Sequence, residues 1–134
     1  MKKYFYMVHY TYTDGDNVSS FDLGIFSTKK NAERKILMSK ELPGFKKYGD
    51  LFEIIKFSVN FDNRIEKKDA TLYCVWLEHD DCFEIFDYFS SFKDAFEKVE
   101  YYKKHTRIGK KYSNLFQISD AIVDNYNAWS EGFN

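Results

Sequence analysis

The chain has 134 residues, the usual size of one domain, and 44% hydrophobic residues are enough to bury a real core. A net charge of −1 sets up no global field toward nucleic acid or anionic lipid, and one proline with six glycines leaves no room for a long linker or a disordered tract. The aromatic content is the outlier: 14 Phe, 11 Tyr and 2 Trp supply either a dense core or an adhesive face.

The chain opens with Lys2 and Lys3 before apolar residues, a faint likeness to a secretory leader. The stretch YFYMVHYTYT nonetheless carries His9, Thr11 and Thr13 and runs into Asp14-Gly15-Asp16 without a small-residue cleavage site. It reads instead as a strand over residues 4–12, aromatic and β-branched as strands prefer. Asp14-Gly15-Asp16-Asn17 is a turn cluster, and residues 20–26 return as a second strand. Thr28 is placed to cap a helix that runs to about Lys40, with Ala32, Ile36 and Ser39 on one face. Leu42-Pro43-Gly44 stops it. Phe52 to Val59 is a third strand whose apolar register shifts at Ile55, predicting burial on both faces or a bulge.

The second half says the same thing again. KKYGDLFEI at 46–54 returns as KKYSNLFQI at 110–118, FSTKKNAERKI at 26–36 lies over FSSFKDAFEKV at 89–99, and YFYMVHY at 4–10 lies over TLYCVWL at 71–77. Identical pairs such as Tyr6/Tyr73, Val8/Val75, Phe26/Phe89, Ala32/Ala95, Phe52/Phe116 and Ile54/Ile118 run in order through every segment, which marks an internal duplication. Strands are expected at 71–78, 83–89 and 115–123, with a helix from Ser91 to about Lys104 that buries Phe92, Ala95, Phe96, Val99 and Tyr102. The predicted fold class is α+β: a tandem, pseudo-symmetric ββαβ repeat with mainly antiparallel sheet and two covering helices. One domain, 1–134, comprises repeat 1 (3–60), a charged linker (61–69), repeat 2 (70–125) and a C-terminal tail (126–134). Phe26, Phe52, Ile54, Phe89, Phe116 and Ile118 are expected to share a core.

The pattern LGIFST…A…LPGF…FEI, followed by Trp129-Ser130-Glu131-Gly132-Phe133, resembles a family of small uncharacterised bacterial domains. In that family a hairpin ending in G-[IVY]-[FY]-S-[ST] leads into a helix, a PGF turn and a last strand, and members often finish near W-x-E-G-F. The match covers about residues 5–60. The second repeat departs from it, with Asp87 in place of Gly24 and Arg107-Ile108-Gly109 in place of the PGF turn. The resemblance implies the ββαβ fold and a bacterial source, and it carries no catalytic residue across.

No catalytic constellation stands out. Glu78-His79-Asp80-Asp81-Cys82 places a histidine near a thiol, but a hairpin tip spreads its side chains and excludes no water, so a polar turn is the better reading. Asp14, Asp16 and Asn17 lack the later glutamate of a calcium loop, and His9 and His105 have no recognisable partner. Cys74 and Cys82 show no metal or redox spacing, which suits a reduced, cytoplasmic protein. No apolar run approaches the roughly 20 residues that span a bilayer. Neither a metal nor a cofactor is expected. Lys46-Lys47-Tyr48 and Lys110-Lys111-Tyr112, with Lys103, Lys104 and Arg107, interleave cations with aromatics as single-strand binders do, yet acids are as numerous and lysines at helix C-termini already serve the helix dipole. Nucleic acid is therefore disfavoured.

The remaining signal is a concentration of acids and aromatics. Glu78, Asp80, Asp81, Glu84 and Tyr88 around the second hairpin, with Tyr126 and Trp129 in the tail, suit a basic protein partner. The plainer alternative is that Tyr126, Trp129 and Phe133 dock the tail onto the sheet. The expectation is a non-enzymatic intracellular binding protein of the immunity or inhibitor type. A ligand-binding domain or enzyme with a pocket between the repeats is the alternative, and nucleic-acid binding the third. Self-association into a homo-oligomer stays open.

Overall fold

The computed structural model describes residues 2–49, 51–60, 71–79 and 82–133, with Cys82 and Phe83 described by backbone alone. The elements run β1 (Lys2–Asp14), β2 (Asn17–Phe26), α1 (Lys29–Ser39), α2 (Phe45–Tyr48), β3 (Phe52–Asn60), β4 (Thr71–His79), β5 (Cys82–Phe89), α3 (Phe92–His105), α4 (Arg107–Lys111) and β6 (Phe116–Ile122). The strands form two three-stranded antiparallel sheets, ordered β2-β1-β3 and β5-β4-β6. The class is α+β, and the same strand order twice is what a duplicated ββαβ unit requires. The expected linker, 61–69, lies outside the described residues.

The duplication extends to local irregularities. In the first hairpin the register shifts between Val8 and His9, leaving Leu23 as the extra residue on β2; in the second it shifts between Val75 and Trp76, leaving Phe86 extra on β5. A bulge of this kind turns both Leu23 and Phe26, or Phe86 and Phe89, toward the core although they are three apart. Both long helices start with a hydroxyl cap: Thr28 accepts from the Asn31 amide at 3.0 Å, and Ser91 from the Asp94 amide at 3.1 Å. Thr28→Ala and Ser91→Ala should each cost about 1 kcal/mol in urea unfolding, the usual worth of such a cap. A loss at only one of them would break the equivalence.

Two clusters stand out among the described core residues. Val8, Tyr10, Leu23, Phe26, Ala32 and Phe45 are buried in the first, with Phe52 and Ile54 packed against them. Val75, Ala95 and Val99 centre the second, with Phe86, Phe89, Phe116 and Ile118 packed against them. The six residues expected in one shared core thus fall three to each cluster. The stripe expected on α3 is also narrower: Ala95 and Val99 are buried, whereas Phe92 and Phe96 are 54% and 51% exposed. The buried stripe of this 14-residue helix is built on the small Ala95 and on Val99, and the rings of Phe92 and Phe96 are left outside it.

The two clusters solve one packing problem with opposite choices. In the first, Ser39 is small and Phe45 stacks on Phe52 at 5.5 Å between ring centres. In the second, the corresponding positions hold Tyr102 and Gly109, and Tyr102 lies over Phe116 at 6.1 Å. Gly109 has no alternative here, because a Cβ would meet the Tyr102 carbonyl oxygen at 1.8 Å. Thr106 fixes that corner, accepting from the Gly109 amide and donating to the Tyr102 carbonyl.

Compact packing divides the chain into two units: Lys3–Ser58 with Val123–Asn134, and Met1–Lys2 with Val59–Ile122. We call them the first and second unit. The C-terminal segment that follows the second repeat therefore belongs to the unit built from the first. Among the described residues, no helix is long and apolar enough to cross a membrane.

Candidate functional site

The tail explains much of the aromatic content of the first unit. Asp124, held at φ +59°, starts it: its carboxylate accepts from the Ser27 amide at 2.9 Å, the Ser27 hydroxyl and the Asn31 side-chain amide at 3.2 Å. Its own amide donates to the Ile25 carbonyl, at the end of β2. A carboxylate beside the first turn of α1 meets free amides and the positive end of the helix dipole, so the position suits an acid. Gly24, at φ +132°, leaves the room the chain needs, since a Cβ there would sit 3.3 Å from the Asn125 carbonyl oxygen.

Next the tail crosses α1. Lys35, 1% exposed, donates through Nζ to the carbonyls of Tyr126 at 2.8 Å and Ala128 at 2.7 Å. Burial holds its ammonium pKa below the ordinary lysine value. The Tyr126 ring lies 5.0 Å from Phe26 with Arg34 over its face, and its hydroxyl donates to the Asn31 carbonyl. Burial, with the Asp124 carboxylate second, pushes the Tyr126 phenol up. Trp129 lies 4.4 Å from Phe21 and remains 43% exposed. Phe133 closes the segment among Tyr12, Phe45, Tyr10 and Phe21, and its amide donates to the Pro43 carbonyl at 2.9 Å. Gly44, at φ +84°, faces it so closely that a Cβ would meet the Phe133 carbonyl oxygen at 2.4 Å. The PGF turn and the W-x-E-G-F ending quoted above are thus two sides of one contact.

Of the residues read as partner-binding, Tyr126 and Trp129 are engaged with their own chain in this way. Glu78 is exposed on β4, one residue before His79. Glu84 is partly exposed on β5, its carboxylate 3.7 Å from His79 Nε2. The imidazole of His79 is stacked on Tyr112 at 4.2 Å, which is the place where Tyr12 stacks on Tyr48 in the first unit. Tyr88 is half-buried, and its amide donates to the Asp87 carboxylate. Asp80 and Asp81 lie outside the described residues, as does the Cys82 side chain. Cys74 is buried in β4.

Sequence reasoning missed Lys35. A lysine between Ala32 and Ser39 lies on the buried stripe of α1, and that spacing was the available signal. It also missed the exposed aromatic pair of α3. Phe92 meets Tyr73 edge-on at 6.1 Å and Phe96 at 6.4 Å. Carboxylates stand on the same unit: Asp87 on β5, and Asp94, Glu97 and Glu100 on α3.

Among the described residues no group of three or more His, Cys, Asp or Glu side chains is arranged to hold a metal ion. His9 and Asp22 form a cross-strand pair, 2.7 Å apart and partly exposed. The cations near the end of α3 are occupied in part by rings, with Lys98 over Tyr101 at 4.7 Å and Lys111 over Tyr112 at 5.2 Å. No family model, no curated protein and no solved structure matches the chain.

Proposed function

We propose that this is a non-enzymatic binding protein that captures a basic protein partner through its second unit, an immunity or inhibitor protein of intracellular, bacterial type. The observation that carries the reading is the composition of that unit's surface: Glu78, Asp87, Asp94 and Glu97 are exposed, Glu84 is partly so, and Phe92 and Phe96 are large rings each more than half exposed. Acids supply steering and exposed rings an apolar anchor. The tail aromatics recede in this reading. Tyr126 and Trp129 serve the fold first, and the partner-facing rings are those of α3.

The test is kinetic, on a partner captured from the native host and then purified. Reversing charge at Asp80, Asp81 and Glu84 together should slow association by about tenfold at low salt and flatten its salt dependence, because steering depends on the summed field. Phe96→Ala should leave the association rate in place and speed dissociation. An association rate that does not move on triple reversal removes the electrostatic basis of the proposal.

A further inference from the structure

Charge in the second unit is sorted along α3. Its acids, Asp94, Glu97 and Glu100, precede Tyr101, and from Tyr101 to Ser119 the chain carries none. The same stretch carries Lys103, Lys104, His105, Arg107, Lys110 and Lys111. Lys103 lies 3.6 Å from Glu100. Lys104, Arg107, Lys110 and Lys111 are exposed, and among the described residues none of these forms an ion pair. Gly109 is buried against the Tyr102 carbonyl, so Arg107, Lys110 and Lys111 share the outer side of α4. Thr106 fixes the corner between the two helices, donating to the Tyr102 carbonyl at 2.6 Å and accepting from the Gly109 amide at 2.9 Å.

The first unit shows how much of this the fold itself requires. Lys40, Lys46 and Lys47 stand where Lys103, Lys110 and Lys111 stand. Lys47 lies over Tyr48 as Lys111 lies over Tyr112, at 5.2 Å in each. That corner also holds Glu41, 4.0 Å from Lys46, and the Pro43 turn. Counting from the caps Thr28 and Ser91, Glu41 has become Lys104; counting back from Phe45 and Gly109, Pro43 has become Arg107. The second corner has lost its acid and gained two cations. A helix dipole accounts for Lys103 and Lys104 in the last turn of α3, but Arg107 opens α4, where a cation meets the wrong end.

The rings beside these cations are already engaged. Tyr101 carries Lys98 and His105, each at 4.7 Å, and Tyr112 carries Lys111 and His79. Protein interfaces set an apolar or aromatic centre among few lysines, and single-strand binders offer free rings to bases. Clustered cations without an open ring suit instead a backbone of closely spaced phosphates, which binds by releasing its counterions. We infer that the α3–α4 corner binds the phosphate backbone of a nucleic-acid duplex, through Lys104, Arg107, Lys110 and Lys111 and without reading base sequence. A net charge of −1 does not oppose this, because screening confines each surface field to about 8–10 Å at ordinary salt. Duplex binding here neither requires nor replaces the capture of a basic partner, whose acids stand at other positions of the unit.

The test takes the full-length protein and a fluorescein-labelled DNA duplex of mixed sequence, with anisotropy read from about 25 to 200 mM salt. Four phosphate contacts at about 0.9 each give a slope of about −3.6 in log affinity against log salt. Arg107→Gln with Lys110→Gln should weaken binding about tenfold at low salt and reduce the slope by about 2, with the melting temperature unchanged. Lys104→Gln with Lys111→Gln should act alike, so the slope is read even if one pair disturbs the helix corner. Lys46→Gln with Lys47→Gln, the same charge loss on the first unit, should change affinity by less than about twofold. A second duplex of unrelated sequence should bind as the first does. No binding at the lowest salt, affinity indifferent to both corner pairs, or an equal loss from the first-unit pair overturns the assignment. A single strand held more tightly than the duplex does so too, as does a polyglutamate peptide that binds as well, since the ligand would then be an acidic protein.

Discussion

Phe133→Ala is expected to lower stability by about 3 kcal/mol, at the low end for a packed phenylalanine because the ring is not wholly enclosed. Removal of residues 123–134 is expected to cost more than the first unit can lose. The ring of Phe133 contacts Tyr10, Tyr12, Phe21, Phe45 and Tyr48, and without it those five would face water on one side. The amide of Phe133 also ties down Pro43, and Gly44 is shaped to its presence. Deletion further strips Ser27 and Asn31 of the Asp124 carboxylate and the Lys35 ammonium of its two carbonyls. Thermal unfolding followed by aromatic circular dichroism would show a fall of about 10 °C for Phe133→Ala, using the size scaling for a domain of this length. Trp129→Ala should fall less, since that ring is 43% exposed and rests mainly on Phe21. A tail deletion that melts like the full chain would mean the segment is ornament.

The duplication was legible because it was written in identities that survive in order. Tyr6/Tyr73, Val8/Val75 and Phe26/Phe89 occupy equivalent places in the two clusters, and the hydroxyl caps fall where Thr28 and Ser91 stand. Local rules sufficed there, since strand pattern, cap and turn each act within a few residues. What could not be read was tertiary. The Lys35 ammonium finds its acceptors more than 90 residues away, and no helical pattern distinguishes a lysine that clamps a distant segment from one that is solvated. The exchange of Ser39 and Phe45 for Tyr102 and Gly109 is invisible for the same reason: a small residue and a large one trade places across a helix corner, and neither position aligns by type. Phe92 and Phe96 misled because the 3–4 spacing that marks a core stripe marks an exposed anchor equally well.

Lys35→Met should destabilise by about 2–4 kcal/mol near neutral pH, since the thioether fills the channel but leaves the Tyr126 and Ala128 carbonyls unpaired, each at about 1–2 kcal/mol. The size of that difference should depend on pH in a definite direction. Burial lowers the Lys35 pKa below 10.5 in the folded protein, so between the folded value and 10.5 the unfolded chain holds more protons. Stability contributed by this group therefore rises with pH through that window, and the full cost of burying the charge is present below it. Tyr102 and Tyr126 act with the opposite sign: burial raises both above 10.0, so beyond that pH the folded state keeps protons the unfolded chain gives up, and stability falls. Wild type should gain stability as the pH rises toward 10 and lose it above, whereas Lys35→Met should lack the gain and retain the loss. Urea unfolding in steps of half a pH unit from 8 to 11 resolves the two limbs. The gap between the two proteins widens toward pH 10.5 if Lys35 enters the fold as a buried cation clamping the tail. A gap that stays constant across the series would place its ammonium in water and remove the tail's central fastening.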